Sequence, residues 1–172
     1  LIKGDICNIS EVSDALEDID AVIHLAGIVG DPASSVNPKK TIEVNYIASK
    51  TLAEICKYNQ INKFIFASTC SVYGLNDLII NEESNLNPVS LYARSKIASE
   101  KGILELVDDN FSPTILRMCT LYGVSPRMRF DLIVNLLSAK AVKEGSINVP
   151  GADQWRPFIH INDAVEGYIK IL

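Results

Sequence analysis

The chain has 172 residues, 48% of them apolar and 22% charged, the size of one ordinary domain with ample core material. That composition excludes a disordered or collagen-like polymer. Its 16 basic and 21 acidic residues leave a net charge of −5, and no basic run exceeds Lys39-Lys40, so the chain carries no electrostatic footprint for nucleic acid.

The opening residues Leu1-Ile2-Lys3-Gly4-Asp5 read as a strand already ending in a turn, without a signal peptide. Ser10 and Ser13 then precede Asp14-Ala15-Leu16-Glu17, a short helix. A strand follows at Ala21-Leu25, and Pro38 opens a longer helix carrying Ile42, Tyr46, Ala53 and Cys56. A second strand covers Lys63-Ala67, a helix runs from near Ser90 to about Val107, and a third strand covers Thr114-Met118. This alternation implies βαβ units and a parallel sheet, whose strands are continuous apolar runs because both faces are covered. Beyond Arg117 come loops at Tyr122-Gly123 and Ser125-Pro126, a helix from about Phe130 to Lys143, and a Gly/Pro-punctuated stretch at Pro150-Gly151. The longest apolar stretch, Ala21 to Gly30, falls short of the roughly 20 residues that cross a bilayer. No membrane span is expected.

Ligands of parallel sheets sit outside the carboxyl ends of the strands. Three such ends stand out: Leu25-Ala26-Gly27, Ser68-Thr69-Cys70-Ser71 and Cys119-Thr120. Small side chains at Ala26-Gly27 make either a tight turn or a place where a flat ligand approaches the backbone. Tyr92 and Lys96 stand at i and i+4 on one helical face. Lowering a tyrosine pKa by about three units takes about 4 kcal/mol, and one ammonium about 4 Å away supplies roughly that at an effective dielectric of about 20. The same spacing recurs at Tyr46 and Lys50, so at least one pair is structural. Tyr46 lies mid-helix on a packed stripe, whereas Tyr92 opens its helix and can face a cleft.

Thr69 brings a hydroxyl able to serve a proton relay, or only to tie down its turn. His24 and His160 sit in apolar strand patterns without spaced partners and read as core or supporting residues, so no metal is assigned. Cys7, Cys56, Cys70 and Cys119 form no Cys-x-x-Cys pair and read as reduced thiols in a cytoplasmic setting. Hydrolase signatures such as Gly-x-Ser-x-Gly and His-Glu-x-x-His are absent from the sequence.

Read together, Gly4-Asp5-Ile6, Ala21-Val22-Ile23-His24-Leu25-Ala26-Gly27, Glu43-Val44-Asn45, Phe64 to Gly74, Tyr92-Ala93-Arg94-Ser95-Lys96, Leu116-Arg117 with Tyr122-Gly123, and Trp155 to Asp163 resemble the extended short-chain dehydrogenase/reductase family. These are the NAD-dependent nucleotide-sugar epimerases and dehydratases. The resemblance implies a Rossmann-like, doubly wound α/β fold. It also implies a dinucleotide-binding portion over residues 1–122 and part of a substrate-binding segment over 123–172. The family's opening glycine-rich βαβ unit has no counterpart here, since Gly27 and Gly30 do not supply the triplet, so a longer enzyme is expected.

By resemblance, Thr69, Tyr92 and Lys96 are the catalytic hydroxyl, the acid/base and the lysine that tunes it while holding the nicotinamide ribose. Asp5 and Ile6 would lie by the adenine. Leu25, Ala26, Gly27 and Ser68 would line the dinucleotide, which is NAD with NADP left open. Thr69, Thr120 and Arg156 would touch a nucleoside-diphosphate sugar, Arg156 through its guanidinium fork on the diphosphate. The turn Ser125 to Phe130 either adds phosphate contacts or is a solvated basic turn. Dehydratases usually follow the catalytic threonine with Asp-Glu, but here Cys70 and Ser71 follow Thr69, so 4-epimerase or reductase-like chemistry is favoured. The alternatives are a reductase of a non-sugar carbonyl and a non-catalytic nucleotide sensor. The expected partner is the sugar nucleotide, with no nucleic acid and no membrane, and a homodimer is left open.

Overall fold

The computed structural model describes residues 1–76, 79–149, 151 and 155–172. It divides into two compact units, Leu1–Arg117 and Met118–Leu172.

In the first unit, Leu1–Asp5 forms no strand but leads into a turn at Ile6 and Cys7, which corrects the expected opening strand. A strand requires a neighbouring ladder, and among the described residues the sheet of this unit contains the three strands given below. Helix α1, Ile9–Ala15, is capped by Asn8, whose side chain accepts from Ser10 N, rather than starting after Ser10 and Ser13. Glu11 in its first turn accepts from Asp5 N at 2.7 Å and from Asn8 Nδ2 at 2.7 Å, and these bonds fix the approach to the helix.

Strand β1, Ala21–His24, pairs in parallel with β2, Lys63–Thr69, in the register Ala21 to Lys63 through His24 to Phe66. Strand β3, Thr114–Met118, completes the order β1-β2-β3. Phe64, Ile65 and Phe66 are all buried in the central strand. Successive side chains point to opposite faces, so both faces of β2 are covered and its sequence is continuously apolar.

Short helices α2, Asp31–Val36, and α3, Pro38–Ile42, follow β1. Asn37 caps α3 by accepting from Lys40 N. A single π-helical turn, Glu43–Ile47, joins α3 to α4, Ala48–Tyr58, so the long helix expected from Pro38 onward is one rod with one widened turn. Ala48, Ser49, Leu52, Ala53 and Cys56 form its buried stripe at helical spacing. Helix α5, Leu91–Leu104, begins where Ser90 Oγ accepts from Ala93 N, and packs on α4, the π turn and β2. Leu16, Leu52, Ala53, Cys56, Ile61, Phe64, Phe66, Ile103 and Phe111 make the core between these elements.

The second unit pairs β4, Thr120–Tyr122, in parallel with β5, Phe158–His160, and adds α6, Ile133–Glu144, and α7, Ile161–Ile171. Pro150, part of the expected Gly/Pro-punctuated stretch, lies outside the described residues. Among the described residues no helix is long and apolar enough to cross a membrane.

Candidate active site

The end of β2 and the first turns of α5 bring the expected catalytic residues into one region of the first unit. Tyr92 and Lys96 are both buried on α5, and Thr69 is buried at the last position of β2. Lys96 Nζ donates to Ala67 O at 2.7 Å and stands 4.4 Å from the centroid of the Phe66 ring. Burial pulls the Lys96 ammonium down to about 8, with the Glu100 carboxylate opposing that fall. At neutral pH it is still largely charged. Thr69 Oγ1 accepts from Ser71 N at 3.1 Å and donates to Ser71 Oγ at 3.1 Å, capping a 3-10 turn over Cys70–Tyr73. Its hydroxyl therefore does tie down the turn, at the end of a strand that packs against α5.

The geometry separates the two Tyr-x-x-x-Lys pairs. Tyr46 lies against Gly102 of α5: a Cβ on that glycine would stand 3.2 Å from the Tyr46 ring. Lys50 reaches outward to Glu105 at 3.4 Å. Tyr46 and Lys50 thus join the π turn and α4 to α5, while Lys96 reaches back to the end of β2.

The loop after β1 approaches the same lysine. A Cβ on Gly27 would stand 3.8 Å from Lys96 Nζ and 3.2 Å from Asn45 Oδ1, so only a residue without a side chain leaves that ground clear. Leu25 and Ala26 are exposed beside it. This cradle suits a flat group passing close to the backbone and meeting an ammonium.

Asn45 borders this cradle, and sequence reasoning assigned it no role. It is fully buried in the π turn, and its Nδ2 donates to Ile28 O at 2.9 Å and to Ser95 Oγ at 3.0 Å. Its Oδ1 accepts from Ile28 N at 2.7 Å, so one side chain mimics a strand partner and ties the β1 loop to α5. Ser99 Oγ donates to Asn45 O at 2.5 Å and holds the widened turn. The available signal was weak, since Asn45 shares its buried helical face with the hydroxyls of Thr41 and Ser49.

The other expected residues are distributed. Ser68 is buried and donates its hydroxyl to Glu100. Asp5 is exposed, its carboxyl held below the usual range chiefly by the Cys7 N–H it accepts at 2.9 Å. Ile6 packs against the core. Thr120 and Arg156 belong to the second unit. There Thr120 pairs with Phe158 and donates its N–H to Pro157 O, so Thr120 and Arg156 share one end of the two-stranded ladder. Arg129, in the expected basic turn, pairs with Asp131.

His24 Nε2 hydrogen-bonds Ser49 Oγ at 2.8 Å, and its ring lies 5.4 Å from that of Phe66; burial pulls it down to about 4, so it is neutral. His160 Nδ1 accepts from Asn162 N and caps α7. Its ring also explains Gly123, at φ 121°, where a Cβ would stand 2.7 Å from His160 Nε2. Among the described residues no cluster of three His, Cys, Asp or Glu side chains could hold a metal ion.

A parallel α/β sheet with a buried Tyr-x-x-x-Lys helix against its central strand defines a Rossmann-like protein of the extended short-chain dehydrogenase/reductase type. The family model for the NAD dependent epimerase/dehydratase family matches residues 1–172, and the chain belongs to that family. An uncharacterized UDP-glucose epimerase of Bacillus subtilis is 32% identical over 167 residues, covering 95% of this chain and 52% of that protein. The human sterol-4-alpha-carboxylate 3-dehydrogenase, decarboxylating, is 32% identical over 174 residues, covering 96% of this chain and 44% of that protein. Among solved structures, the UDP-glucuronic acid 4-epimerase from Bacillus cereus in complex with UDP-glucuronic acid and NAD superimposes with a TM-score of 0.82 at 31% identity. That match covers 96% of this chain and 53% of that one. The chain thus spans about half the length of the relatives it matches.

Proposed function

We propose that this chain carries the acid/base centre of an NAD-using enzyme that transiently oxidises a nucleoside-diphosphate sugar, with 4-epimerase-like chemistry. The carrying observation is the buried Tyr92/Lys96 pair, its ammonium fixed on Ala67 O beside the cleared ground at Gly27. Gly27, with Leu25 and Ala26, would hold the dinucleotide along the β1 loop, and Lys96 would hold its nicotinamide ribose. Asp5 and Ile6 would lie by the adenine, and Ser68 supports the strand end from within. Bound there, NAD would supply the hydride acceptor and donor for the sugar carbon.

Tyr92 removes the proton of the sugar hydroxyl as the phenolate and gives it back as the phenol. Lys96, charged at neutral pH and shielded from water, lowers the cost of that phenolate. Thr69 presents its hydroxyl to the same oxygen. Thr120 and Arg156 would contact the sugar nucleotide, Arg156 as a fork for the diphosphate. Cys70 and Ser71, where a dehydratase would have an acid and a base, favour epimerisation or reduction over loss of water. The reaction would run in the cytoplasm, and a homodimer is the assembly to look for.

A second reading has support in the human sterol dehydrogenase relative: oxidation of a non-sugar alcohol by the same tyrosine. Incubating the intact protein and NAD+ with UDP-, GDP- and dTDP-hexoses, and separately with a sterol 4-carboxylate, decides between them by NMR of the products. A 4-epimer or keto sugar is expected. Turnover of the sterol alone overturns the sugar reading. Tyr92→Phe should lower turnover by about 10²–10⁴-fold, the usual contribution of a positioned acid/base; unchanged turnover in that variant would remove Tyr92 from the acid/base role, and a native protein that binds nucleotide but turns over no substrate would leave a nucleotide sensor as the better account.

A further inference from the structure

Behind Lys96 lies a buried ion pair that the proposed chemistry leaves unused. Glu100 follows Lys96 by four residues, so Tyr92, Lys96 and Glu100 form one stripe of α5, and its carboxylate is almost wholly buried. Arg117, at the end of β3, donates to that carboxylate from Nε to both oxygens, at 3.2 and 3.1 Å, and from Nη2 at 2.8 Å. Ser68 Oγ donates to the same carboxylate. The remaining arm of Arg117 donates to Tyr73 Oη at 2.8 Å and to Glu82 O at 3.0 Å, and its guanidinium lies 5.1 Å from the Tyr73 ring centroid. One carboxylate and one guanidinium therefore join α5, the end of β2, the 3-10 turn after Thr69 and the segment at Glu82.

An ion pair between a buried carboxylate and a part-buried guanidinium is a poor device for stability alone, because taking the carboxylate out of water costs about as much as the attraction returns. Its placement suggests a different task. Lys96 has given up water for one carbonyl and the face of Phe66, and burial works against its proton. The groups around it are few: Tyr92 and Glu100 on α5, neutral His24 on β1, Asn45 in the π turn, the titration-silent Phe66 and Ala67 on β2, and Arg117 on β3. Of these, Glu100 is the charge that acts in favour of the ammonium. A buried carboxylate without Arg117 would take up a proton or pull Lys96 away from Ala67. The guanidinium fork prevents both, keeping the anion charged and one turn distant.

We propose that Glu100, clamped by Arg117, is a positioning residue that keeps Lys96 protonated and, through Ser68, fixes the strand end carrying Thr69. This rests on the reading of Tyr92 and Lys96 as the working pair. The test follows Lys96 itself. In the intact protein grown with lysine labelled at Cε and Nζ, the Lys96 signal is titrated by NMR in the native form and in Glu100→Gln. Removing the anion should lower the Lys96 midpoint by more than about half a pH unit. A smaller fall, no change or a rise overturns the proposal. If Glu100→Gln fails to fold because Arg117 is left unpaired, Glu100→Gln/Arg117→Gln leaves no unpaired charge and is judged by the same criterion. In a sugar-oxidation assay the pH above which turnover declines should move down with the Lys96 midpoint. A shifted midpoint in a protein that oxidises no sugar sinks the proposed function and not this role for Glu100; normal oxidation with an unmoved midpoint sinks this role alone.

Discussion

Tyr92 and Tyr46 have the same local sequence signature, and what distinguishes them is where their lysines go. Lys50 stretches to Glu105 on the outside of α5, where the ion pair is half-exposed and contributes little. Lys96 turns inward to Ala67 O and is almost wholly buried. His24 obeys the same logic with opposite effect: burial among Phe64, Phe66 and Ser49 favours its neutral form and lowers it to about 4. Since the unfolded chain binds that proton near the ordinary 6.5, stability from this residue is complete above about pH 6.5 and is lost as pH falls toward 4. The full loss is about 3 kcal/mol. Urea unfolding at pH 7.5 and 4.5 should show this slope in the native chain and a flatter one in His24→Gln; equal slopes would mean that His24 is not buried as described.

At the level of elements, the three strands of the first unit's sheet were legible because a strand covered on both faces must be apolar throughout, as Phe64-Ile65-Phe66 are, whereas the short strand β4 fell where a loop was expected at Tyr122-Gly123. Helix α5 was legible from its Ser90 cap. The π turn was not, because nothing in Glu43–Ile47 demands it locally; Asn45 facing Ile28 and Ser99 donating to Asn45 O maintain it from other elements. The start of α1 was misplaced because Asn8, Ser10 and Ser13 are all competent caps, and the choice falls to the one whose first turn places Glu11 under Asp5 N. Asn45→Ala should strip the Ile28 N–H and C=O of their partner. Thermal unfolding is expected to show a loss of about 1–3 kcal/mol, and calorimetry weaker NAD binding. Unchanged NAD affinity together with the stability loss would confine Asn45 to a structural role.

Across the whole molecule, burial is unequal between the two units. The core cluster lies entirely in the first, whereas Ala164 is the one buried residue among the described residues of the second. Hydrogen exchange on the 172-residue chain should therefore leave the amides of β2 and α5 the slowest and those of α6 among the fastest. Equal protection in the two units would contradict this division.

By itself the sequence determined the fold class and the family, because alternating apolar runs, caps and ordered motifs are local patterns that survive without knowledge of contacts. It also placed Thr69, Tyr92 and Lys96 in order along the chain. The order of motifs already favoured Tyr92 and Lys96 over Tyr46 and Lys50; only the tertiary structure decided that Lys96 turns inward to Ala67 O, that Asn45 ties the β1 loop to α5, and that Glu100 and Arg117 stand behind Lys96. Those facts depend on side chains tens of residues apart sharing a dry interior, where one hydrogen bond or charge outweighs what the same residues would show in water.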